Sequence, residues 1–290
     1  MRKELFQRRV RLRSRATLQP YHAARRALQG ISAMSPVLPA GSETQQLLEG
    51  QFFQAIRTLH YPWRDGPFDS LPGCLEIRAI EPDHDRLVLR VEPSGVAATI
   101  VERALAHAPR NGYPADVEVP YLRVRDGEGG AEFYRLGSPG VIVLEGVTFG
   151  DVAALHAKHP HDEDMECLWI TSPDTVTADE KREWRARREP AYRVTSSVVR
   201  RLGLLTRLDA SSIDTWEVMW DEGAEVMVEA WFTKLSYEER IRLLRDLASP
   251  HLAPRWHPKP PLEGDSTHPY HYFTVGDTNH VVQIRLLEGR

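Results

Sequence analysis

Short segments in which apolar and polar residues alternate recur in pairs along this chain, and this recurrence restricts the fold more than any other feature. A turn rich in glycine or aspartate joins the members of a pair, as DGEGG does at residues 126–130. Alternation with a period of two is typical of strands that bury one face. We therefore predict four β-hairpins. They pair segment 75–80 with 86–92, 117–125 with 131–136, 215–220 with 224–232, and 270–275 with 281–287.

Helical patterns separate these hairpins. A serine or threonine followed three residues later by glutamate or glutamine forms a capping box, which marks a helix start. We predict helix starts at three such pairs: Ser42 with Gln45, Thr177 with Glu180, and Ser236 with Glu239. In the central stretch 141–171 we predict a buried strand at 141–144, a helix from about Thr148 to Pro160, and a second strand at 167–170.

This order of elements predicts an α+β fold, with a mostly antiparallel or mixed sheet built from several hairpins, flanking helices and a basic N-terminal arm. We place the arm and its linker at residues 1–41 and a single α+β body at 42–290, with a further boundary near 172–190 as the alternative. No apolar run approaches the roughly 20 residues that a membrane-spanning helix needs.

Charge is distributed unevenly along the chain. Residues 1–41 hold nine arginine and lysine residues and one acid, Glu4, so this segment carries +8; because the whole chain carries −4, residues 42–290 carry −12. Val10 and Leu12 alternate with arginines, which predicts an extended arm. An arginine-rich segment on an acidic body indicates a negatively charged partner, so we assign partner binding to Arg8, Arg9, Arg11, Arg13, Arg15, Arg25 and Arg26.

The partner class is an acidic protein surface or a larger assembly, and nucleic acid is the alternative. Arginines can follow a phosphate backbone, but few aromatic residues lie among them for base stacking.

The arginine-rich composition of residues 1–41 also resembles a mitochondrial leader, although we expect the segment to be retained and to lie against the body or a partner. Two distant cysteines, Cys74 and Cys167, suit a reducing compartment. We predict the cytoplasm, with the mitochondrial matrix as the alternative.

Two histidine-rich stretches suggest a metal site as a speculative alternative. The segment HAKHPHDEDMEC begins at residue 156 and HPYHYFTVGDTNH begins at residue 268. If the second forms a hairpin, His271 and His280 would lie near one another, and the two stretches together could supply the three or four ligands of zinc or manganese. Neither has the spacing of a known metal motif. The candidate ligands are His156, His159, Asp162, His268, His271 and His280.

The hairpin at 215–232 holds the densest group of aromatic residues. We expect Trp216, Val218 and Trp220 to share a face with apolar residues of the partner strand, namely Val226, Val228 and Phe232. Such a group is usually core, although tryptophan is also frequent in binding hot spots. We therefore predict that Trp216, Trp220 and Trp231 belong to the core.

The chain has no phosphate-binding loop, dinucleotide fingerprint, nucleophile elbow or paired CxxC. The leading functional hypothesis is therefore a non-catalytic interaction or assembly subunit that docks through its arginine-rich N-terminal segment, with no required cofactor. The second hypothesis is a metal-dependent hydrolase, such as a nuclease, that uses the two histidine and acid clusters. A third is a nucleic-acid-binding accessory protein.

Overall fold

A computed structural model of the chain describes residues 2–56, 58–60, 77–92, 105, 107–109, 120–158, 165–184, 188–220, 223–259 and 270–288. Two mixed sheets and several helices form these parts, which confirms the predicted α+β class. Among these residues, no helix has the length and apolar character to cross a membrane.

The larger sheet has six strands in the order β1-β9-β10-β13-β12-β11. All neighbours are antiparallel except β10 and β13, which run parallel. The strands span β1 (Thr58–His60), β9 (Ala210–Trp220), β10 (Gly223–Phe232), β11 (Trp256–Pro258), β12 (Tyr270–Val275) and β13 (Val281–Glu288).

The second sheet has five strands in the order β2-β3-β7-β6-β5, in which only β3 and β7 are parallel. Two short strands, β4 and β8, pair separately. The strands span β2 (Ile77–Pro82), β3 (Arg86–Val91), β4 (His107–Pro109), β5 (Leu122–Gly127), β6 (Gly130–Arg135), β7 (Val141–Glu145) and β8 (Met165–Cys167). The four predicted hairpins are confirmed in their described parts, and so is the strand at 141–144.

The described helices lie around and between these sheets, and one core of buried apolar side chains joins them. The helices span α1 (Arg2–Thr17), α2 (Tyr21–Ala27), α3 (Glu43–Ile56), α4 (Phe149–Lys158), α5 (Leu168–Thr171), α6 (Ala178–Glu183), α7 (Glu189–Val199), α8 (Leu202–Thr206) and α9 (Tyr237–Leu247). The capping boxes at Thr177 and Ser236 are formed in full, and Ser42 Oγ accepts the Gln45 N–H at the start of α3.

Three predictions about local structure are wrong. Residues 8–15 are helical, within α1, and are not extended. The segment 167–170 leaves β8 at Cys167 and continues as α5, so it is not a strand.

The third error concerns the face of the 215–232 hairpin. Two residues connect β9 to β10, and Trp220 pairs with Gly223, so Trp216 lies opposite Met227. Val226 and Val228 instead lie opposite Glu217 and Thr215. A shift of one residue in register exchanges the two faces of a strand. The tryptophan therefore lies on the face of the sheet opposite to the buried valines.

Helices α3 and α7 pack closely in the middle of the molecule at a glycine. A Cβ atom on Gly50 would lie 2.2 Å from the Tyr192 carbonyl oxygen and 2.2 Å from its Cα atom. Main-chain atoms of a buried helix cannot move aside as a flexible side chain does. The helix separation at this point therefore requires glycine.

We expect Gly50→Ala to lower the free energy of unfolding by about 3 kcal/mol, because the added methyl group overpacks the contact between α3 and α7. The measurement is chemical denaturation of both proteins. Gly150→Ala is the matched control, since its Cβ would meet only Thr148 Oγ1, at the ordinary distance of 3.6 Å, at an exposed helix position. We expect the control to leave stability unchanged or to raise it; similar losses in both variants would contradict the packing argument.

Candidate functional site

Helix α1 divides its arginines between two faces. Arg9 and Arg13, four residues apart, are 2% and 6% exposed. Arg8, Arg11 and Arg15 follow one another at spacings of three and four, so they share the other face of the helix. Arg8 and Arg11 are exposed, and Arg15 is partly buried. Only this second face is open to a partner.

The two buried arginines bind main-chain carbonyl groups of the segment that follows α2. Arg9 donates to the carbonyls of Ser32 and Ser35, at 2.9 and 2.7 Å, and Arg13 donates to that of Val37 at 2.6 Å. Desolvation by burial lowers the pKa of both guanidinium groups. These two residues, which we assigned to partner binding, hold the N-terminal segment together.

A close helix contact fixes where the open face of α1 lies. A Cβ atom on Gly203 of α8 would lie 2.5 Å from the Ala16 carbonyl oxygen and 2.6 Å from that of Arg15. Val10, Leu12 and Ala16 of α1 belong to the core that contains both sheets. Helix α1 therefore holds its exposed arginines at a fixed place beside α8.

A groove of about 450 Å³ runs between α1, α8 and α9, and we call it the arginine groove. Its apolar floor includes Leu204 and Leu243, which are 4% and 3% exposed, together with Leu208, and Tyr21 of α2 lies at its side. Four arginines line it: Arg11 and Arg15 from α1, Arg207 from the turn after α8, and Arg242 from α9.

The two carboxylates in the arginine groove are already engaged. Asp246 binds Arg15 at 2.8 Å. Glu239 accepts hydrogen bonds from the main-chain N–H and the hydroxyl of Ser236, at 3.0 and 2.6 Å, and these bonds lower its pKa. Burial raises the pKa of Asp246. The positive charges of four arginines oppose this effect, namely Arg15, Arg245, Arg242 and Arg8.

The other three arginines of the groove have no ion-pair partner among the described residues. Arg11, Arg207 and Arg242 are exposed, and within the described part of the chain none of them forms an ion pair. They come from three different elements and meet above an apolar floor. Arginine is well suited to bind carboxylates at interfaces, because its planar group can donate two parallel hydrogen bonds.

The structure therefore brings together part of the predicted binding set and adds to it. Arg11 and Arg15 line the groove, Arg8 lies within electrostatic range of Asp246, and Arg25 and Arg26 are exposed on α2 but do not line the groove. The sequence reasoning missed Arg207 and Arg242. The only available signal was the arginine spacing in YEERIRLLRDL, which puts residues 242 and 245 on one face of α9.

Most of the predicted metal ligands lie outside the described residues. His159, Asp162 and His268 are outside the described residues, and for His156 only the backbone of α4 is described. His271 pairs with Ile284, whereas the Val275 N–H donates to the carbonyl of His280. The two histidines thus stand four residue steps apart along the hairpin, about 13 Å.

Among the residues that the structure describes, no group of three histidine, cysteine, aspartate or glutamate side chains could hold a metal ion. Burial lowers the pKa of both His271 and His280, and a neighbouring arginine lowers each further. Cys167 is buried, and Cys74 lies outside the described residues.

The predicted core role of the tryptophans is wrong for the two that are described. Trp216 and Trp231 are only partly buried, and Trp231 Nε1 donates to Glu229 at 2.9 Å. The guanidinium of Arg285 stacks on Trp216, 5.1 Å from the ring centre. The side chain of Trp220 lies outside the described residues.

Comparison of this chain with protein families, with curated proteins and with solved structures finds no match.

The two faces of α1 should respond differently to loss of an arginine. We expect Arg13→Met to lower the free energy of unfolding by about 1–3 kcal/mol, because the buried Val37 carbonyl loses its charged donor. Arg11→Met, on the open face, should change it by less than about 0.5 kcal/mol. Urea denaturation of both variants is the measurement, and equal effects would contradict the division of α1 into a structural and an open face.

Proposed function

We propose that this protein is a non-catalytic interaction subunit that docks an acidic, partly apolar segment of a partner protein in the arginine groove. The convergence of Arg11, Arg207 and Arg242 over a buried leucine floor carries the proposal, since all three are exposed and none forms an ion pair with a described residue. An exposed arginine usually forms an ion pair with a carboxylate of the same protein or lies apart from other arginines. Three of them around one groove favour an external acidic ligand.

The composition of the groove favours a protein segment over nucleic acid. Arginine and tyrosine are enriched at protein interfaces, and the apolar floor offers area that leucine or phenylalanine side chains can bury. Tyr21 is the aromatic residue among the groove's lining, so base stacking has little support.

Charge and apolar contact would contribute in different ways. An exposed ion pair contributes only about 0.2–1 kcal/mol, so three new pairs give modest affinity and strong salt dependence. Burial of apolar partner side chains on Leu204 and Leu243 would supply most of the remaining free energy. The arginines would mainly increase the association rate and select acidic partners.

The test uses a labelled helical peptide with glutamates on one face and leucines on the other, and measures its fluorescence anisotropy. We expect saturable binding that weakens as salt is added. The combined variant Arg11→Gln, Arg207→Gln and Arg242→Gln should bind roughly tenfold or more weakly, since it loses three charge pairs.

A control variant with the same charge change separates the groove from net charge. It carries Arg25→Gln, Arg26→Gln and Arg86→Gln, three exposed residues that do not line the groove. Equal loss of affinity in both variants, or equal binding of a peptide with glutamine in place of glutamate, would contradict the proposal. Tighter binding of duplex or single-stranded DNA of similar length would favour the nucleic-acid alternative instead.

A further inference from the structure

A second cavity, of about 440 Å³, shares no lining residue with the arginine groove and is built by other parts of the chain. Helix α3, the first turns of α7, Pro254 and the turn between β12 and β13 all contribute to its lining. Its walls are largely apolar, and they include Pro190, Val194 and Val275. Such a volume and such walls, with a few polar groups, are typical of sites for small organic molecules.

One of the polar groups is the guanidinium of Arg193. Its Nη1 atom binds Glu43 at 3.0 Å, but the Glu43 side chain is 77% exposed. An ion pair that is so exposed to solvent contributes little free energy. The Nε and Nη2 atoms of Arg193 form no hydrogen bond with any described residue. This edge of the guanidinium can therefore donate two parallel hydrogen bonds to a ligand.

The second polar group is the imidazole of His280. Its Nδ1 atom is buried and has no hydrogen-bond partner in the described part of the chain. Buried N–H groups without a partner are rarer than unpaired acceptors, so we expect the neutral ring to carry its proton on Nε2. Burial, and then the positive charge of Arg193, lower the pKa of His280 and so favour the neutral ring. The Nε2–H group is then the one hydrogen-bond donor of the neutral ring.

We propose that this cavity binds a small organic monocarboxylate, whose carboxylate pairs with Arg193 and accepts a hydrogen bond from His280 while its apolar body lies between Pro190, Val194 and Val275. This binding goes beyond the docking of a protein partner in the arginine groove and does not depend on it.

The charge balance of the cavity favours a monoanion over a dianion. Glu189 also lines the cavity, and Glu43 stands beside Arg193. With a neutral His280, a single arginine faces these two acids. Repulsion from the two acids grows with the charge of the ligand, so a phosphate dianion would meet more of it than a monocarboxylate whose one charge pairs with Arg193. A phosphate dianion is also too strongly hydrated for the apolar walls.

The experiment titrates the isotope-labelled full-length protein with benzoate and follows the backbone amide signals of Gly276 and His280. We expect saturable shifts with benzoate and none with benzyl alcohol, which has the same ring and no charge. Phenyl phosphate should bind more weakly than benzoate.

Arg193→Gln should weaken benzoate binding about tenfold or more, since it removes a charge-assisted pair. Glu43→Gln should leave binding unchanged or tighten it, because it releases Arg193, and Arg86→Gln should have no effect. The proposal is overturned if benzoate gives no saturable shift, if Arg193→Gln binds as the natural protein does, or if phenyl phosphate binds more tightly.

Discussion

A buried ion pair between Glu49 of α3 and Arg200, at the end of α7, is the interaction on which the rest of the structure depends. Both side chains are almost fully buried, and their shortest contact is 2.6 Å. Arg200 also donates to the carbonyls of Pro39 and Asp83, so the pair joins the two helices to the N-terminal linker and to the turn between β2 and β3. Ser196 donates to the same carboxylate. Removing one member of such a pair costs about 3–5 kcal/mol, because the other charge stays buried alone.

Arginine has the same structural use elsewhere in this chain, and this use explains why a count of charges does not identify the arginines that are open to a partner. Arg201 is buried and has no carboxylate partner among the described residues: it donates to the Ser197 and Pro254 carbonyls and stacks on Trp256, 4.6 Å from the ring centre. Burial lowers its pKa to about 9, so it is still charged at neutral pH. Arg9 and Arg13 likewise bind carbonyl groups. Net charge shows that a segment is basic, but it does not distinguish an arginine that binds the chain itself from one that is open to a partner.

Local chemistry allowed several elements to be predicted. The capping boxes at Thr177 and Ser236 place helix starts correctly, and the paired alternating segments identify the hairpins. The parallel pairs β10 with β13 and β3 with β7 could not be predicted, because they join segments far apart in the chain. The length of the loop between Trp220 and Gly223 decided the face of one hairpin. In α1, alternation of Val10 and Leu12 with arginine suggested a strand, but burial of Arg9 and Arg13 on one side follows the helical period.

The arginine groove could not be predicted from the sequence, because its arginines meet only after α1, α8 and α9 have packed. This dependence also limits how the proposed function can be tested. Deleting residues 1–41 would remove Val10, Leu12 and Ala16 from the core together with the exposed arginines. Loss of partner binding after such a deletion would then report loss of folding as much as loss of contacts. Substitutions confined to Arg11, Arg207 and Arg242 leave the buried face of α1 intact, so they separate the contribution of charge to docking from the contribution of α1 to stability.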